Sequence, residues 1–556
     1  MKLEAAEQIN MLNGASVISD LLAGNSRDGG VLSFDSASVS VAGDAQISTL
    51  NHGAGAGAAI EIFADALTVS DGGGIVSRTD AAGAGGRIHL DVGSLSVTDA
   101  GRITSDTTGG PGGAIDVWAD SVFVSNATNR AEGTFIEAKN GGSIALDADR
   151  VELVHGGQIF TRAEGAIAAG PLTIANADRV SASGVDAQNR PSGLFGRTTA
   201  ASTGDGGLLS VQTRILELDD GAEFSSSTSG VGNAGRIELH DSERISVRGG
   251  ANGVSLLASS ALPGSMGDGG TIEIDTDLLE LRDGGRVTTS TFGAGNAGRI
   301  DAYAQAIEIS GVDPLAGINS AGFFSRSVGG GDGGTVALHA RQSVSMSDRA
   351  LISTSSTDVG LAGDIFIDAG NRLQMEDSLI TTKADISAGG NVEITAAELV
   401  SLNRSAIQTL VLDGVGGGGD VTIGNLTIDD VTIDPVFTVL NESNVTASAI
   451  GGPGGNILIV TDFYFQSGTS FLDASSVDDV DGTIDVTPPD TDLVSSIGAL
   501  PASYLDASSR LERGCSARSA RAGSFVVRAG ELALAPPDAA LTASDLSYCP
   551  RKENAL

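Results

Sequence analysis

The side chains most able to do chemistry in this chain are carboxylates, and most of the aspartates follow a turn pattern. Asp and Glu number 70 against 32 Lys and Arg, which gives a formal net charge of −38 at pH 7. Asp71, Asp99, Asp283 and Asp348 stand between short apolar alternations, where Asp commonly serves turn chemistry. Cleavage of a polysaccharide instead needs acidic groups that converge in space, with Arg or Lys beside them. The pattern therefore predicts no catalytic residues.

Aspartate and asparagine alternate at one recurring position, in the contexts GDGG and GNAG. If successive segments stack, identical aspartates on neighbouring rungs would repel, whereas an amide beside a carboxylate can donate a hydrogen bond to it. We therefore predict a ladder of stacked turn residues rather than a catalytic or metal-binding cluster. Its members are Asp205, Asn233, Asp268, Asn296 and Asp332.

The five histidines lie in separate segments, so we predict no zinc site. His240 and His339 follow Leu239 and Leu338 at equivalent positions, which is typical of an exposed turn residue. The calcium-binding nonapeptide GGxGxDxUx is absent, although weak calcium binding along the Asp-Asn ladder stays open. We expect neither a metal site nor a cofactor. The other histidines are His52, His89 and His155.

Two cysteines, Cys515 and Cys549, occur near the end of the chain and none elsewhere. A body without thiols is common among exported bacterial proteins, and a late pair can close one disulfide loop. Because the pair brackets a single segment, we predict a disulfide between them. Two unpaired thiols in a reducing compartment are the alternative.

The chain repeats with a period of about 28 residues. Each period holds three short apolar alternations separated by Gly, Asp or Asn, which is a strand signature. Glycine accounts for 78 residues and aromatic residues for 4%, a composition that suits thin stacked layers. The first apolar residues of the periods are Leu32, Ile60, Ile88, Ile115, Ile144, Leu172, Leu209, Ile237, Ile272, Ile300, Val336, Ile365, Val392, Val421, Ile457 and Ile484.

These features predict an all-β fold, a right-handed single-stranded parallel β-helix of about 16 coils with three strands per coil. The predicted β-helix covers residues 1–487. A Pro-, Ala- and Arg-containing tail that carries the Cys pair covers residues 488–556. Within that tail, residues 507–530 form a basic patch, which we interpret as part of a cap that folds back on the β-helix; an anionic partner is the alternative.

Four coils carry extra residues. In three of them the extension lies between the second and third strands, at residues 183–195, 248–260 and 310–324. Since these three coils are two periods apart, we expect the loops to project along one edge of the β-helix. A fourth extension lies around Asp434 and Pro435.

The start of the chain aligns with the middle of a period. Ala6–Ser19 matches Ala148–Thr161, with Ile9 aligned to Val151. We therefore predict that the chain starts in mid-coil and forms the C-terminal part of a longer polypeptide. No apolar run of 18 residues and no signal-peptide core occur, so no transmembrane segment is predicted. The acidic body should repel phosphate backbones, which argues against nucleic-acid binding.

Four segments together resemble the C-terminal repeat portion of filamentous-haemagglutinin-like exoproteins of two-partner secretion systems. They are GNAGRIEL, LLELRDGGRVTTSTFGAGNAG, SGVDAQNRPSGLF and the tail segment CSARSARAGSFVVRAGELALAPP. The resemblance covers nearly the whole chain, but the family's N-terminal secretion domain has no counterpart here. It implies export through an outer-membrane transporter barrel and an extracellular or outer-surface location. It also implies an adhesive fibre that contacts glycans or proteins of host or neighbouring cells.

The leading functional hypothesis is therefore a secreted or cell-surface β-helical adhesin segment that attaches along the edge carrying the long loops. A carbohydrate-active parallel β-helix, a pectin-lyase-like lyase or hydrolase, is the alternative. One tryptophan, Trp118, and four tyrosines offer few platforms for sugar rings. A non-secreted remnant of a decayed gene is the third hypothesis.

Overall fold

Columns of aliphatic side chains, one residue from each rung, form the interior of the molecule. The computed structural model describes residues 1–487 except 25, 26, 81, 129, 429 and 430. The sixteen residues that mark the sequence periods pair in unbroken register from Leu32 to Ile484. All except Ile484 are buried. The predicted parallel β-solenoid of about 16 turns is confirmed, with about 29 residues per turn.

Successive rungs pair in parallel in two sheets, a first sheet of 21 strands and a second sheet of 16 strands. From β1 to β24 each rung supplies one long strand to the first sheet and one short strand to the second. These strands are β1 (Lys2–Met11), β2 (Ser16–Leu21), β3 (Val31–Ala42), β4 (Gln46–Asn51), β5 (Ala59–Ser70), β6 (Gly74–Thr79), β7 (Ile88–Thr98), β8 (Arg102–Thr107), β9 (Ile115–Ser125), β10 (Thr134–Lys139), β11 (Ile144–Val154), β12 (Gly157–Ala163), β13 (Leu172–Ser183), β14 (Gly193–Thr198), β15 (Leu208–Asp219), β16 (Glu223–Ser225), β17 (Arg236–Arg248), β18 (Leu256–Ala258), β19 (Thr271–Arg282), β20 (Arg286–Thr288), β21 (Arg299–Ser310), β22 (Gly322–Phe324), β23 (Thr335–Ser347) and β24 (Leu351–Ser353).

From Ile365 onward the long strand is divided in two, so each rung has three strands. The remaining strands are β25 (Ile365–Asp368), β26 (Arg372–Glu376), β27 (Leu379–Ala384), β28 (Val392–Thr395), β29 (Leu399–Asn403), β30 (Ala406–Val411), β31 (Val421–Ile423), β32 (Leu426–Ile428), β33 (Val431–Ile433), β34 (Phe437–Asn441), β35 (Asn444–Ala449), β36 (Ile457–Val460), β37 (Phe463–Gln466), β38 (Phe471–Asp473) and β39 (Ile484–Thr487). β32 and β33 form an antiparallel hairpin, which is the extension expected near Asp434.

The first two of the three predicted strand segments join into one strand in the earlier rungs. The register shifts near the middle of many long strands, for example between Asp147 and Arg150 and between Leu239 and Ser242. Such a shift marks an irregularity that bends a strand without ending its ladder. A true break begins after β25, where Gly370, two residues past the end of the strand, takes a positive φ of 61°. The sequence pattern of three alternations is the same in both arrangements.

Glycine occupies the position two residues before the first-strand residue on every rung from Gly86 to Gly482, whereas Ala58 holds it on an earlier rung. A Cβ on Gly298 would lie 1.8 Å from the carbonyl oxygen of Gly270 on the preceding rung, and a Cβ on Gly334 would lie 1.8 Å from that of Gly298. Real Cβ atoms do not approach that closely, so only glycine allows the backbones of adjacent rungs to stack there. The contact accounts for the last glycine of each GDGG and GNAG motif.

The first rung extends further than the alignment of its sequence indicated. Ile9 pairs with Val39 and heads the column that contains Val151, as the alignment has it. Pairing also reaches back to Lys2, which lies opposite Ser33. β1 therefore covers most of the length of the strand it stacks on.

The predicted tail, with Cys515 and Cys549 and the basic patch at 507–530, lies outside the described residues. In the part of the chain that is described, no helix is long and apolar enough to cross a membrane.

Candidate functional site: an arginine groove beside the long loops

The three long loops follow alternate rungs, as the sequence predicts. They connect β13 to β14, β17 to β18 and β21 to β22. Neighbouring loops are close in space, because a Cβ on Gly221 would contact both Val185 of the first loop and Asn252 of the second. Gly253 of the second loop likewise lies beside Leu315 of the third. The loops thus form one continuous edge.

A buried aspartate organises the first loop and another organises the third. Asp186 accepts hydrogen bonds from the backbone N–H groups of Gln188 and Arg190, both at 2.9 Å. Asp313 accepts from the N–H groups of Ala316 and Asn319, both at 2.7 Å. Burial acts to raise the pKa of each carboxyl, but these hydrogen bonds outweigh it and hold both pKa values below the ordinary range. Both loops are therefore held by ionised aspartates.

Arg190 ties the first loop to the rest of the solenoid. Its Nε donates to Asp186 Oδ2 at 2.6 Å, and its two Nη atoms donate to the carbonyl oxygens of Ala131 and Arg130 at 2.9 and 3.0 Å. These three contacts span the loop and the turn two rungs earlier. These hydrogen bonds hold the loop in place at the edge of the second sheet.

A groove of about 550 Å³ lies on the outer face of the second sheet, next to these loops. We call it the arginine groove. Its floor is formed by two columns of residues that follow the strand register. The first column is Phe195, Ser225, Ala258, Thr288 and Phe324, and the second is Arg197, Ser227, Ser260, Ser290 and Arg326. All of these line the groove except Phe195, which is fully buried at the end of its column.

An arginine stacked on a phenylalanine closes each end of the groove. The guanidinium of Arg197 lies 3.4 Å from the centre of the Phe195 ring, and that of Arg326 lies 4.8 Å from the centre of the Phe324 ring. Arg286 approaches Phe324 from the neighbouring column at 4.9 Å. The two ends are four rungs apart, or about 19 Å at the usual strand spacing. Between them the floor carries only small residues.

The three arginines of the groove are half-buried and poorly neutralised. Burial lowers the pKa of Arg197, Arg286 and Arg326 below the ordinary guanidinium value. Arg286 donates to the carbonyl oxygen of Ser320 and to Asn319 Oδ1, both at 3.1 Å. Among the described residues, the guanidinium groups of Arg197 and Arg326 have no hydrogen-bond or ion-pair partner, although the backbone N–H of Arg326 donates to Ser290 Oγ at 3.2 Å. Glu223 supplies a carboxylate to the lining, but it forms no ion pair with a described residue.

The predicted Asp-Asn ladder is stacked, but its hydrogen bonds differ from the expectation. The Oδ1 atom of each member accepts from the backbone N–H of the next member, at 2.7 to 2.9 Å. Asp332 continues the series by accepting from Leu361 N at 2.9 Å. A side-chain amide donor is therefore not what each carboxylate faces, because Asp and Asn oxygens accept equally well here. Alternation instead doubles the distance between successive charges.

A second ladder was missed in the sequence. It lies at the residue directly before each first-strand residue rather than four positions before it, and it begins where the first ladder ends. Oδ1 again accepts from the next backbone N–H, at 2.7 to 3.0 Å. Its members are Asp364, Asn391, Asp420, Asn456 and Thr483. Because the ladder shifts position within the turn, a search at one fixed offset could not find it.

His240 and His339 do occupy one column of the first sheet, as predicted, with Asp275 and Tyr303 between them. His339 is not a simple exposed turn residue, however. Its ring stacks on Tyr303 at a centroid distance of 4.8 Å and contacts Phe366 at 5.1 Å. Burial lowers the pKa of His339. In the described chain no group of three or more His, Cys, Asp or Glu residues could hold a metal ion.

The groove itself was also missed in the sequence, although a signal for it exists. The pattern Phe-x-Arg occurs at 160–162, 195–197 and 324–326, and the last two copies directly follow a long loop of the form SGVD. Parallel stacking brings these two copies to the same column, four rungs apart. Only the register shows that small residues fill the rungs between them.

Together these features define the chain as a parallel β-solenoid with a loop-flanked, arginine-lined groove on one sheet. No family model, no curated protein and no solved structure matches it.

Proposed function

We propose that the protein is a β-solenoid adhesin or surface-fibre segment that attaches through the arginine groove and the long loops beside it. The observation that carries this proposal is the coincidence of the two on the same rungs, β13 to β22. On other described rungs many outward side chains belong to the Asp-Asn ladders or to ion pairs. Loops on a regular scaffold are common sites of binding function.

The resemblance to filamentous-haemagglutinin-like exoproteins supports the same proposal. It would place the chain outside the cell or on its outer surface, and it would make an outer-membrane transporter barrel the export partner of the full-length protein. Host or neighbouring-cell glycans or proteins would be the surfaces contacted. A stack of rungs with little variation suits a spacer that presents one site at a distance from the cell.

A binding role is favoured over turnover of a polysaccharide. Glycoside hydrolysis by the common mechanism uses a pair of carboxylates flanking the bond. The lining of the arginine groove includes one described carboxylate, that of Glu223. Release of new chain ends from an acidic polysaccharide by the purified protein would favour the enzyme class instead.

Exchange of the first and third long loops for short turns tests whether the protein attaches through this surface. Residues 184–192 and 311–321 are replaced by the short turns Asp220–Ala222 and Asp283–Gly285, which connect equivalent strands in the same chain. Attachment of protein-coated beads to bacterial and host-cell monolayers should fall at least severalfold, with unchanged β-type circular dichroism. Exchange of the hairpin at 426–433 for a short turn is the matched control and should leave attachment intact. Full attachment after the first exchange refutes the proposed face.

A further inference from the structure

We propose that the arginine groove binds an acidic polysaccharide chain, with the anionic groups at Arg197, Arg286 and Arg326 and the sugar hydroxyls along the floor. This inference rests on the proposed function, because it names the ligand class of the attachment face. It commits to carboxylate- or sulfate-bearing polysaccharides as the source of the anion.

Two arginines of the groove lack, among the described residues, the partners that a partly desolvated cation normally has. Desolvating a cation costs free energy unless a counter-charge or hydrogen bonds compensate. The chain has 70 acidic residues available for pairing, yet Arg197 and Arg326 pair with none of the described ones. Their stacking on Phe195 and Phe324 fixes the guanidinium planes and leaves their N–H groups free to bind an anion.

The groove is long enough for an extended chain. The cationic ends are about 19 Å apart along the rungs, and the residues between them are small. An extended chain can lie along this floor and place an anionic group at each end. A single small anion would reach only one of the two stacks.

The groove is lined by both hydroxyl groups and apolar side chains. Hydroxyl groups of Ser227, Ser260, Thr288 and Ser290 line the groove and already hydrogen-bond to one another, to Ser225 or to the backbone. They offer sugar hydroxyls their remaining acceptor lone pairs. Leu256 adds an apolar contact for a sugar ring face. Three arginines suit a chain with widely spaced charges. A nucleic acid carries denser charge and meets stronger repulsion from the acidic body.

The acidic body does not prevent local binding. At physiological salt the Debye length is about 8 Å, so carboxylates farther away than this are largely screened from the groove. Half-buried arginines are screened less than exposed ones. Glu223 is the one described carboxylate in the lining, so the three arginines leave the groove with a net positive charge at contact distance.

The test measures binding of the full chain to polygalacturonate and to dextran sulfate by calorimetry, with neutral dextran as the reference polymer. Arg197→Gln and Arg326→Gln should each weaken binding about tenfold or more, as loss of a charge-assisted hydrogen bond predicts. Arg197→Lys keeps the charge but loses the planar stack, so its affinity should lie between those of the unaltered protein and Arg197→Gln. Affinity should also fall between about 50 mM and about 200 mM salt, and less steeply in the variants.

Arg236→Gln is the matched control, because it removes the same charge from an exposed site already paired with Glu238 and Glu273. It should leave binding unchanged. Preference for polygalacturonate assigns carboxylate as the anion, and preference for dextran sulfate assigns sulfate. Equal loss in Arg236→Gln, equal binding to neutral dextran, or equally tight binding of polyglutamate or oligothymidylate overturns the inference. If the polysaccharide test fails but attachment still depends on the long loops, the proposed function stands and only the ligand class is wrong. If attachment does not depend on the loops but polysaccharide binding depends on the groove arginines, only the proposed attachment surface is wrong.

Discussion

Two stretches of the second sheet present opposite electrostatics on the same scaffold. On β8 to β12 two outward cations are paired with carboxylates: Lys139 Nζ lies 3.2 Å from Asp106, and Arg162 lies 2.8 Å from Glu137. We call this the paired stretch. On β14 to β22 the outward arginines stack on phenylalanine and lack a carboxylate partner among the described residues. Arg162 and Arg197 are neighbours in one column, so a single rung separates the two regimes.

The difference shows that the backbone repeat does not determine what its outer face does. Glu137 and Phe160 precede Phe195 in one column, and all three have the same backbone environment. Arg162 also lies over a ring, that of Phe160 at 5.9 Å, but Glu137 on the preceding rung gives it an ion pair. Arg197 has Phe160 on its preceding rung instead of an acid, so its guanidinium lacks that ion pair.

The largest effect is expected from the scaffold that both stretches share. Gly113→Ala and Gly298→Ala place a Cβ at 2.2 and 1.8 Å from a backbone carbonyl oxygen of the preceding rung. Because that backbone contact cannot yield, each change should lower the free energy of unfolding by about 3 kcal/mol, measured by denaturant titration. Gly165→Ala, which meets no atom within 4 Å, is the control and should cost far less. A large difference between Gly113→Ala and Gly298→Ala would contradict a common scaffold.

The comparison itself predicts unequal responses to loss of an arginine. Arg162→Gln leaves the buried Glu137 without its nearest cation, and should cost about 1–3 kcal/mol of unfolding free energy. Arg197→Gln removes no ion pair and should cost no more than about 1 kcal/mol, the worth of a cation–π contact. Equal costs for the two variants would show that Arg197 is a structural residue like its neighbour.

The pH dependence of that cost follows from Glu137. Burial raises the pKa of Glu137 above its ordinary value, although Arg162 and Lys139 oppose the shift. The contribution of Glu137 to stability is therefore fully present below its unfolded-state pKa and is lost as pH rises through its folded-state pKa. Without Arg162 the fall should be steeper, so the deficit of Arg162→Gln should shrink in acid. Unfolding measured across this pH range checks the sign.

The smallest effect is expected at the Asp-Asn ladder, which runs beside the rungs of the groove. Asn296→Asp keeps an oxygen to accept from Asp332 N but places carboxylates on three consecutive rungs. The like charges should cost about 0.2–1 kcal/mol at low salt, and added salt should relieve the cost. Asp268→Asn keeps the hydrogen bond without adding charge and serves as the control. A loss that salt does not relieve would mean that geometry, not charge, sets the alternation.

Much of the scaffold was predictable from the sequence, because the same physical requirement recurs on every rung. A buried residue such as Ile272 must face inward at the same point of each turn, so periodicity alone locates the column. The loop positions were predictable for the same reason, since extra residues interrupt an otherwise constant spacing.

The groove was not predictable in the same way, because it depends on which outward residues become neighbours across rungs. Arg197 and Arg326 are far apart in sequence, and only the strand register places Ser227, Ser260 and Ser290 between them. The prediction of the hydrogen-bond partners in the Asp-Asn ladder was wrong for a related reason. Residue types alone do not tell whether Asn296 donates through its amide or accepts through its oxygen.

The ladders have a direction along the chain. Asp268 holds its acceptor toward Asn296, a residue that comes later, and Asn296 does the same for Asp332. Each rung of a ladder therefore presents an oxygen at the place where the following rung puts its N–H. Because a chain is made from its amino end, we expect the ladders to favour stacking in the order of synthesis.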